Sequence, residues 1–298
     1  MNLLKCEIEK KGLPGAESQR LFHGRGHCFP GYEDVLIDWF SPVVLVTLYR
    51  DRPEGWVEEL ATWIKQYLTA EAVVVQKRYL PHSPSSVIAG ELPDNVNAIE
   101  AGLNYRLRLN DAQNIGFFLD MAVGRTFVRQ NAEGKKILNL FSYSCSFSVA
   151  AIAGGADNVV NIDMNRGALA LGRSNHQLNH LDLRRVSFLP LEIFRSFSRL
   201  RKLAPFDMII CDPPDEQGSS FRPQRDWPKL ARKLPGLLSE NGEILFCLSS
   251  PRISTDDIKG LFQKVELPLQ WVDTYRSEDD FPEAEPEKGL NILHYRKI

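Results

Sequence analysis

Residues 139–148, NLFSYSCSFS, decide how this chain is read. The stretch follows the apolar pair Ile137-Leu138 and leads into Val149-Ala150-Ala151, so it is the turn by which a strand enters a helix. In an α/β protein such a turn commonly holds a nucleotide-like ligand. It contains no glycine, the residue that normally lets backbone bend tightly and approach a ligand. If Cys145 takes a left-handed conformation there, a strain of about 1–2 kcal/mol is expected.

Outward from this turn the pattern alternates. It predicts helices at 120–131, 146–154, 165–179, 193–203, near 225–238 and at 254–263, with strands at 136–141, 158–163, 185–190, 206–212 and 243–248. QWVDTYR and LNILHYRKI close the chain as two strand-like segments. This is an α/β, Rossmann-like pattern: a mostly parallel seven-stranded sheet covered on both faces, with an antiparallel edge. Residues 115–298 form that domain. Residues 1–114 read as a smaller α+β domain suited to substrate binding, with strands in VLIDWF, PVVLVTLYR and AVVVQKRY and an amphipathic helix in EGWVEELATWIKQYL. Residues 80–95, rich in Pro, Ser and Gly, read as a connecting segment, and AIEAGLNYRLRLN as a hairpin.

Composition narrows the class. The 298 residues are 43% hydrophobic, enough for a sizeable core, and no run of about 18 apolar residues suggests a membrane span. The N-terminus lacks the apolar centre of a secretion signal, so a cytoplasmic protein with no membrane segment is expected. The five cysteines have no CxxC spacing and read as reduced core thiols. His23, His27 and Cys28 are separated by two glycines in a turn, so no metal site is implied. Net charge is −2: residues 1–114 carry 12 Lys and Arg against 15 Asp and Glu, and the remainder 24 against 23. Any basic surface must be local. Arg222, Arg225, Lys229 and Arg232 would share one helix face, able to meet phosphates or simply to be solvated.

Polar residues fall where the predicted parallel strands end. Phe141, Ser142, Tyr143, Ser144 and Cys145 follow the first. Asp163 ends the second, 24 residues beyond Asn139, where a carboxylate can accept from both ribose hydroxyls or only cap a helix. Glu192 follows the third. After the fourth, Asp212-Pro213-Pro214 stops FDMIIC abruptly and holds a rigid extended turn able to grip a flat hydrogen-bonding group such as a nucleobase. A dehydrogenase would want GxGxxG after the first strand, which is absent.

This ordered set resembles the class I S-adenosylmethionine-dependent methyltransferases, of the bacterial ribosomal RNA large-subunit methyltransferase I and K type. RLFHGRGHCFPGYEDVLIDWF is similar to the family's RLFHGE-DGLPGLVVDRY, GFFLD to TGYFLDQR, and AGGADNVVNIDMNRGAL to GGA-VVSVDxSxxAL. FDMIICDPP, FRPQRDW and LLSENGEILFCLSS follow in the family's order. In the family an RNA-binding PUA domain precedes RLFHG; the resemblance carries the expectation of a member lacking it.

The resemblance implies an enzyme that methylates a base of ribosomal RNA, with S-adenosylmethionine as cofactor. The 141–145 loop would surround its methionine end, Asp163 its ribose and Glu192 its adenine; Phe118 and Asp120 would border it. Asp212, Pro213 and Pro214 would line the target base, and the basic face would meet RNA. A homodimer is left open. The family's carbon-5 enzymes carry a cysteine nucleophile in FSCSG. Counting from Gly242, that position holds Ser249, and Cys247 lies two residues earlier, about 6–7 Å away along a strand. With QRDW resembling the K type, nitrogen methylation is favoured.

Departures supply the competing expectation. SYTGG is SYSCS here, TG is Ile115-Gly116, DQR is Asp120-Met121-Ala122, and the adenine-site Asp is Glu192. A non-catalytic RNA- or ribosome-binding protein with a degenerate methyltransferase fold is the alternative.

Overall fold

Leu4 and Ile8 bury one narrow stripe of an opening helix, α1 (Asn2–Lys11). It belongs to the first of two units in the computed structural model, which describes residues 1–110, 113–214, 221–249, 254–264, 268–277 and 279–298. The first unit comprises Met1–Leu119 with Glu278–Ala284, and the second Asp120–Ser277 with Glu285–Ile298. The division at 119/120 lies five residues past the one read from sequence, and a short later segment joins the first unit.

In the first unit, β1 (Gln19–His23), β2 (Val35–Phe40), β3 (Val43–Leu48), β4 (Ala72–Lys77) and β5 (Ser85–Gly90) form one sheet in chain order. Only β3 and β4 run parallel, because helix α2 (Glu54–Leu68) makes the crossover between them. The α2 residues Val57, Leu60, Ala61, Ile64 and Leu68 recur at helical spacing and are buried. A hairpin, β6 (Asn97–Glu100) and β7 (Leu103–Arg106), completes the unit. The connecting segment expected at 80–95 contains β5, which pairs antiparallel with β4. As an edge strand, half exposed with no residue fully buried, it carries no alternation of apolar residues to reveal it. Cys6 and Cys28 are exposed, contrary to the expected core positions; Cys145, Cys211 and Cys247 are buried.

The second unit holds seven strands: β8 (Lys136–Leu140), β9 (Asn158–Asp163), β10 (Val186–Pro190), β11 (Phe206–Cys211), β12 (Leu238–Leu248), β13 (Leu269–Arg276) and β14 (Asn291–Lys297). Their order is β10-β9-β8-β11-β12-β14-β13, parallel through β12, with β14 and β13 antiparallel at the edge. Alternate side chains serve two cores. Leu138, Leu140, Ile209 and Cys211 join one cluster, while Ile137, Met208 and Ile210 join the other.

The helices are α3 (Ala122–Gln130), α4 (Ser146–Ala153), α5 (Arg166–Leu178), α6 (Phe197–Leu203), α7 (Pro223–Lys233) and α8 (Thr255–Gln263). Two differ from expectation. α6 begins four residues late, because Glu192 accepts the Phe194 and Arg195 amides and shapes a turn first. α7 ends at Lys233, since Pro235-Gly236 breaks it and β12 starts at Leu238.

One buried polar chain runs from the sheet to α5. Asn139 Nδ2 donates to Asn161 Oδ1 (2.9 Å), Asn161 Nδ2 to Ser148 Oγ (3.0 Å), and Ser148 to His176 Nε2 (2.9 Å). His176 Nδ1 faces the Gly172 carbonyl at 2.7 Å, which requires the proton on Nδ1 and leaves Nε2 to accept. Ser148→Ala would strand one N–H of Asn161, whose amide nitrogen keeps only Ser187 O, and the His176 acceptor, at a cost of about 1–3 kcal/mol in urea unfolding. Burial holds His176 below its ordinary pKa of 6.5, with Arg173 adding to the effect against the hydrogen bonds at Gly172 in α5 and Ser148 in α4. The folded state therefore keeps a neutral ring that the unfolded chain protonates. This stability is present above pH 6.5 and declines as pH falls; His176→Gln should flatten that acid limb of Tm against pH.

Candidate active site at the carboxyl ends of the central strands

The strand order reverses between β8 and β11, so the loops leaving these strands diverge, and it is beyond their carboxyl ends that such sheets bind ligands. The β8 loop makes its bend without glycine. Phe141, Tyr143 and Cys145 all have positive φ, at 58°, 44° and 59°. The Ser142 amide continues the sheet ladder to Ile162 O (3.0 Å), the Tyr143 amide donates to Asp163 Oδ2 (2.8 Å), and the Cys145 amide closes a turn onto Ser142 O (2.7 Å). Asn175 Nδ2 from α5 holds the Ser144 carbonyl at 3.1 Å.

The side chain of Cys145 is fully buried, and its seat explains how the bend is tolerated. A Cβ on Gly172 of α5 would lie 2.4 Å from Cys145 Sγ and 2.8 Å from its Cβ. The glycine absent from the loop has its counterpart in the helix facing it. Burial pushes the Cys145 thiol far up, so it packs as an inert apolar group. The loop is therefore built, and the expectation of a degenerate fold loses its principal support.

Asp163 accepts the Tyr143 amide on one oxygen and the Asn165 amide on the other (2.8 Å each), while Asn165 caps α5 through the Gly167 and Ala168 amides. Glu192 is engaged with the amides of Phe194 (3.0 Å) and Arg195 (2.7 Å). Each carboxylate oxygen retains a second lone pair. Phe141 packs edge-on against Phe221 with ring centroids 5.7 Å apart, and Phe118, in the first unit, is exposed.

Asp212 leaves β11 with its amide toward Leu140 O, and Pro213 is buried behind it. Burial and then the charge of Asp120 raise its carboxyl to about 7, against the lowering effect of Arg125. Arg125 is almost fully buried in α3 and was not anticipated. The signal was present: Met121, Gly124, Arg125 and Val128 share one apolar stripe with a single cation in it. Cys211 and Cys247 are buried beside Asp212, and burial reinforced by that charge raises both thiols well above their usual range. Ser249 lies past the end of β12.

The four basic residues lie at the start of and along α7, and two are committed locally. Arg225 Nε and Lys229 Nζ reach Asp226 Oδ1 at 2.8 and 2.9 Å, and the Arg222 amide donates to Asp226 Oδ2. Burial would raise Asp226, but Arg225, the Arg222 amide and Lys229 outweigh it and hold the carboxyl far below the usual range. Arg222 and Arg232 are exposed. His23 is occupied by Arg20 (2.6 Å) and Glu283 (3.2 Å), and among the described residues no three His, Cys, Asp or Glu cluster to hold a metal ion. No helix among them is long and apolar enough to cross a membrane.

Residues 19–296 match the family model of the S-adenosylmethionine-dependent methyltransferases, and the chain belongs to that family. It is 28% identical over 291 residues to the ribosomal RNA large subunit methyltransferase I of Serratia proteamaculans, covering 90% of this chain and 71% of the relative. The same-named protein of Shigella flexneri is 28% identical over 287 residues, with the same coverage. The crystal structure of SMU.776 complexed with SAH superposes with a TM-score of 0.88 at 26% identity, covering 99% of this chain and 79% of that one. The enzyme is a methyltransferase and its methyl donor is S-adenosylmethionine.

Gly172→Ala should force Cys145 out of its seat and weaken S-adenosylmethionine binding at least about tenfold by calorimetry, and Cys145→Gly in the same chain should restore it. Cys145→Gly alone should be near neutral, because about 1 kcal/mol of relieved strain offsets lost packing of similar size. The double-mutant coupling is expected at about 1–3 kcal/mol.

Proposed function

We infer that this methyltransferase acts on RNA, at a base nitrogen of ribosomal RNA. The observation that carries the choice of atom is the burial of two thiols beside Asp212. Carbon-5 methylation of a pyrimidine needs a thiolate that adds to the ring, and burial denies that form to Cys211 and Cys247. A carboxyl near neutrality suits the other chemistry. Asp212 accepts a hydrogen bond from the N–H of the base and takes up the proton that the nitrogen sheds as it is methylated. Pro213 and Pro214 keep that carboxyl from drifting, and Arg125 holds part of its charge.

The bound S-adenosylmethionine supplies a methyl group already activated on a sulfonium, so the protein's task is alignment. The residues fit this group. Asp163, its second lone pairs unspent, accepts from the ribose hydroxyls, and Glu192 from the adenine amino group. Phe141, Ser142, Tyr143, Ser144 and Cys145 surround the methionine end, with Asp120 bordering it. Arg222 and Arg232, with Arg225 and Lys229 behind their Asp226 pairs, meet the phosphates, and residues 1–114 take part in holding the substrate. The names of the two curated relatives support ribosomal RNA as the substrate, and such a substrate suits a cytoplasmic enzyme. Sedimentation of the same preparation distinguishes a monomer from a homodimer.

Transfer of labelled methyl groups to deproteinised ribosomal RNA and to ribosomal subunits tests this reading, with mass spectrometry of the modified nucleoside. Asp163→Ala should abolish cofactor binding, whereas Asp212→Asn should bind it and lose about 10²-fold or more in transfer. Wild-type kcat/KM should rise through about pH 7 as Asp212 ionises, and the residual activity of Asp212→Asn should lack that limb. A methyl group on ring carbon, or a protein–RNA adduct at Cys247, would sink the nitrogen assignment.

A further inference from the structure

Gly24-Arg25-Gly26 is a single 3₁₀ turn in the first unit, and both glycines are clamped by backbone. A Cβ on Gly24 would stand 1.8 Å from the Tyr32 carbonyl oxygen, and one on Gly26 would stand 1.7 Å from that of Pro282. The His27 amide closes the turn onto Gly24 O (3.0 Å), and the Ala284 amide ties down Gly26 O (2.7 Å). Arg25 is therefore the one side chain this pinned turn can project, and it is exposed.

Its guanidinium lies over the ring of Tyr49, 4.1 Å from the centroid, and that of Arg78 lies over the same ring at 5.6 Å. Three segments converge here: the turn after β1, the end of β3 and the end of β4, where the Arg78 amide bonds Leu48 O at 2.8 Å. Neighbouring charges are largely spent on one another. Asp34 takes Arg50 (2.9 Å) and Arg52 Nε (2.8 Å), Asp51 takes the Tyr79 hydroxyl (2.6 Å), Glu33 takes the Gly31 amide (2.9 Å), and Arg78 Nη1 takes Gln113 O (2.6 Å). Among the described residues no hydrogen bond or ion pair occupies the Arg25 guanidinium.

A free surface arginine loses rotamer freedom when it binds a phosphate. Here the Tyr49 ring and the pinned backbone have removed most of that freedom beforehand, while all five N–H donors stay available for a bidentate contact. We propose that Arg25, held over the Tyr49 ring, is an RNA phosphate clamp of the first unit, with Arg78 as its second contact. The clamp rests on the RNA reading above and adds to it a substrate contact far along the chain from the methyl-transfer residues.

The test is binding of deproteinised ribosomal RNA to the full chain across a salt series. Arg25→Gln should weaken binding about tenfold and reduce the slope of log K against log salt by roughly 0.7–0.9, the loss of one phosphate contact. Tyr49→Leu removes the platform but keeps the charge, so it should weaken binding about threefold with the slope unchanged. S-adenosylmethionine affinity should be the same in Arg25→Gln as in wild type, which separates the clamp from a general loss of fold. Wild-type affinity and slope in Arg25→Gln would overturn the clamp and leave the RNA reading standing. Absence of RNA binding by the wild type would overturn both.

Discussion

The contact between Cys145 and Gly172 is the constraint on which the carboxyl-end loops of the second unit turn. A strand that delivers its successor helix through three left-handed residues without glycine needs compensation outside the loop. It comes from three directions: the bare α5 backbone at Gly172, the Asp163 carboxylate under the Tyr143 amide, and Asn175 on the Ser144 carbonyl. α5 is in turn fixed to the sheet by the chain through Ser148 and His176. Loop, helix and sheet are thus set as one piece, and the residues of the loop inherit that rigidity.

Asp212 shows a different balance. A carboxyl whose ionised form is disfavoured by burial and by Asp120 makes the folded state less favourable at neutral pH than a neutral residue would. Such an arrangement is retained where chemistry needs it. Arg125 moderates the penalty without removing it, and both neighbouring thiols are kept out of their reactive form by the same burial. One environment thus keeps two thiols protonated and brings a carboxyl near neutrality, the combination on which the proposed nitrogen chemistry rests.

Much of the second unit was legible because its strands are short apolar runs ended by polar residues, and its helices have one apolar face. Asp163, Glu192 and the Asp-Pro-Pro turn stood out at strand ends. What stayed hidden depended on partners distant in sequence. No local pattern pairs Cys145 with Gly172, 27 residues on. The α7 cations looked like an open face because spacing reveals which residues share a side, but not that buried Asp226 draws two of them inward. β5 was missed because an edge strand need not alternate, and α1 because two buried residues make a weak period.

The connection between β13 and β14 has a consequence for how this molecule can be divided. Its residues 278–284 belong to the first unit, where Asp280 pairs with Lys11 (2.6 Å), Phe281 lies against His23 and beneath Arg20, and Pro282 and Ala284 brace Gly26. The chain therefore crosses between units three times, at 119/120, 277/278 and 284/285. A fragment cut at the first crossing would leave the Arg25 turn without its floor. The two units are interleaved along the chain, so no single cut in the backbone yields either one whole.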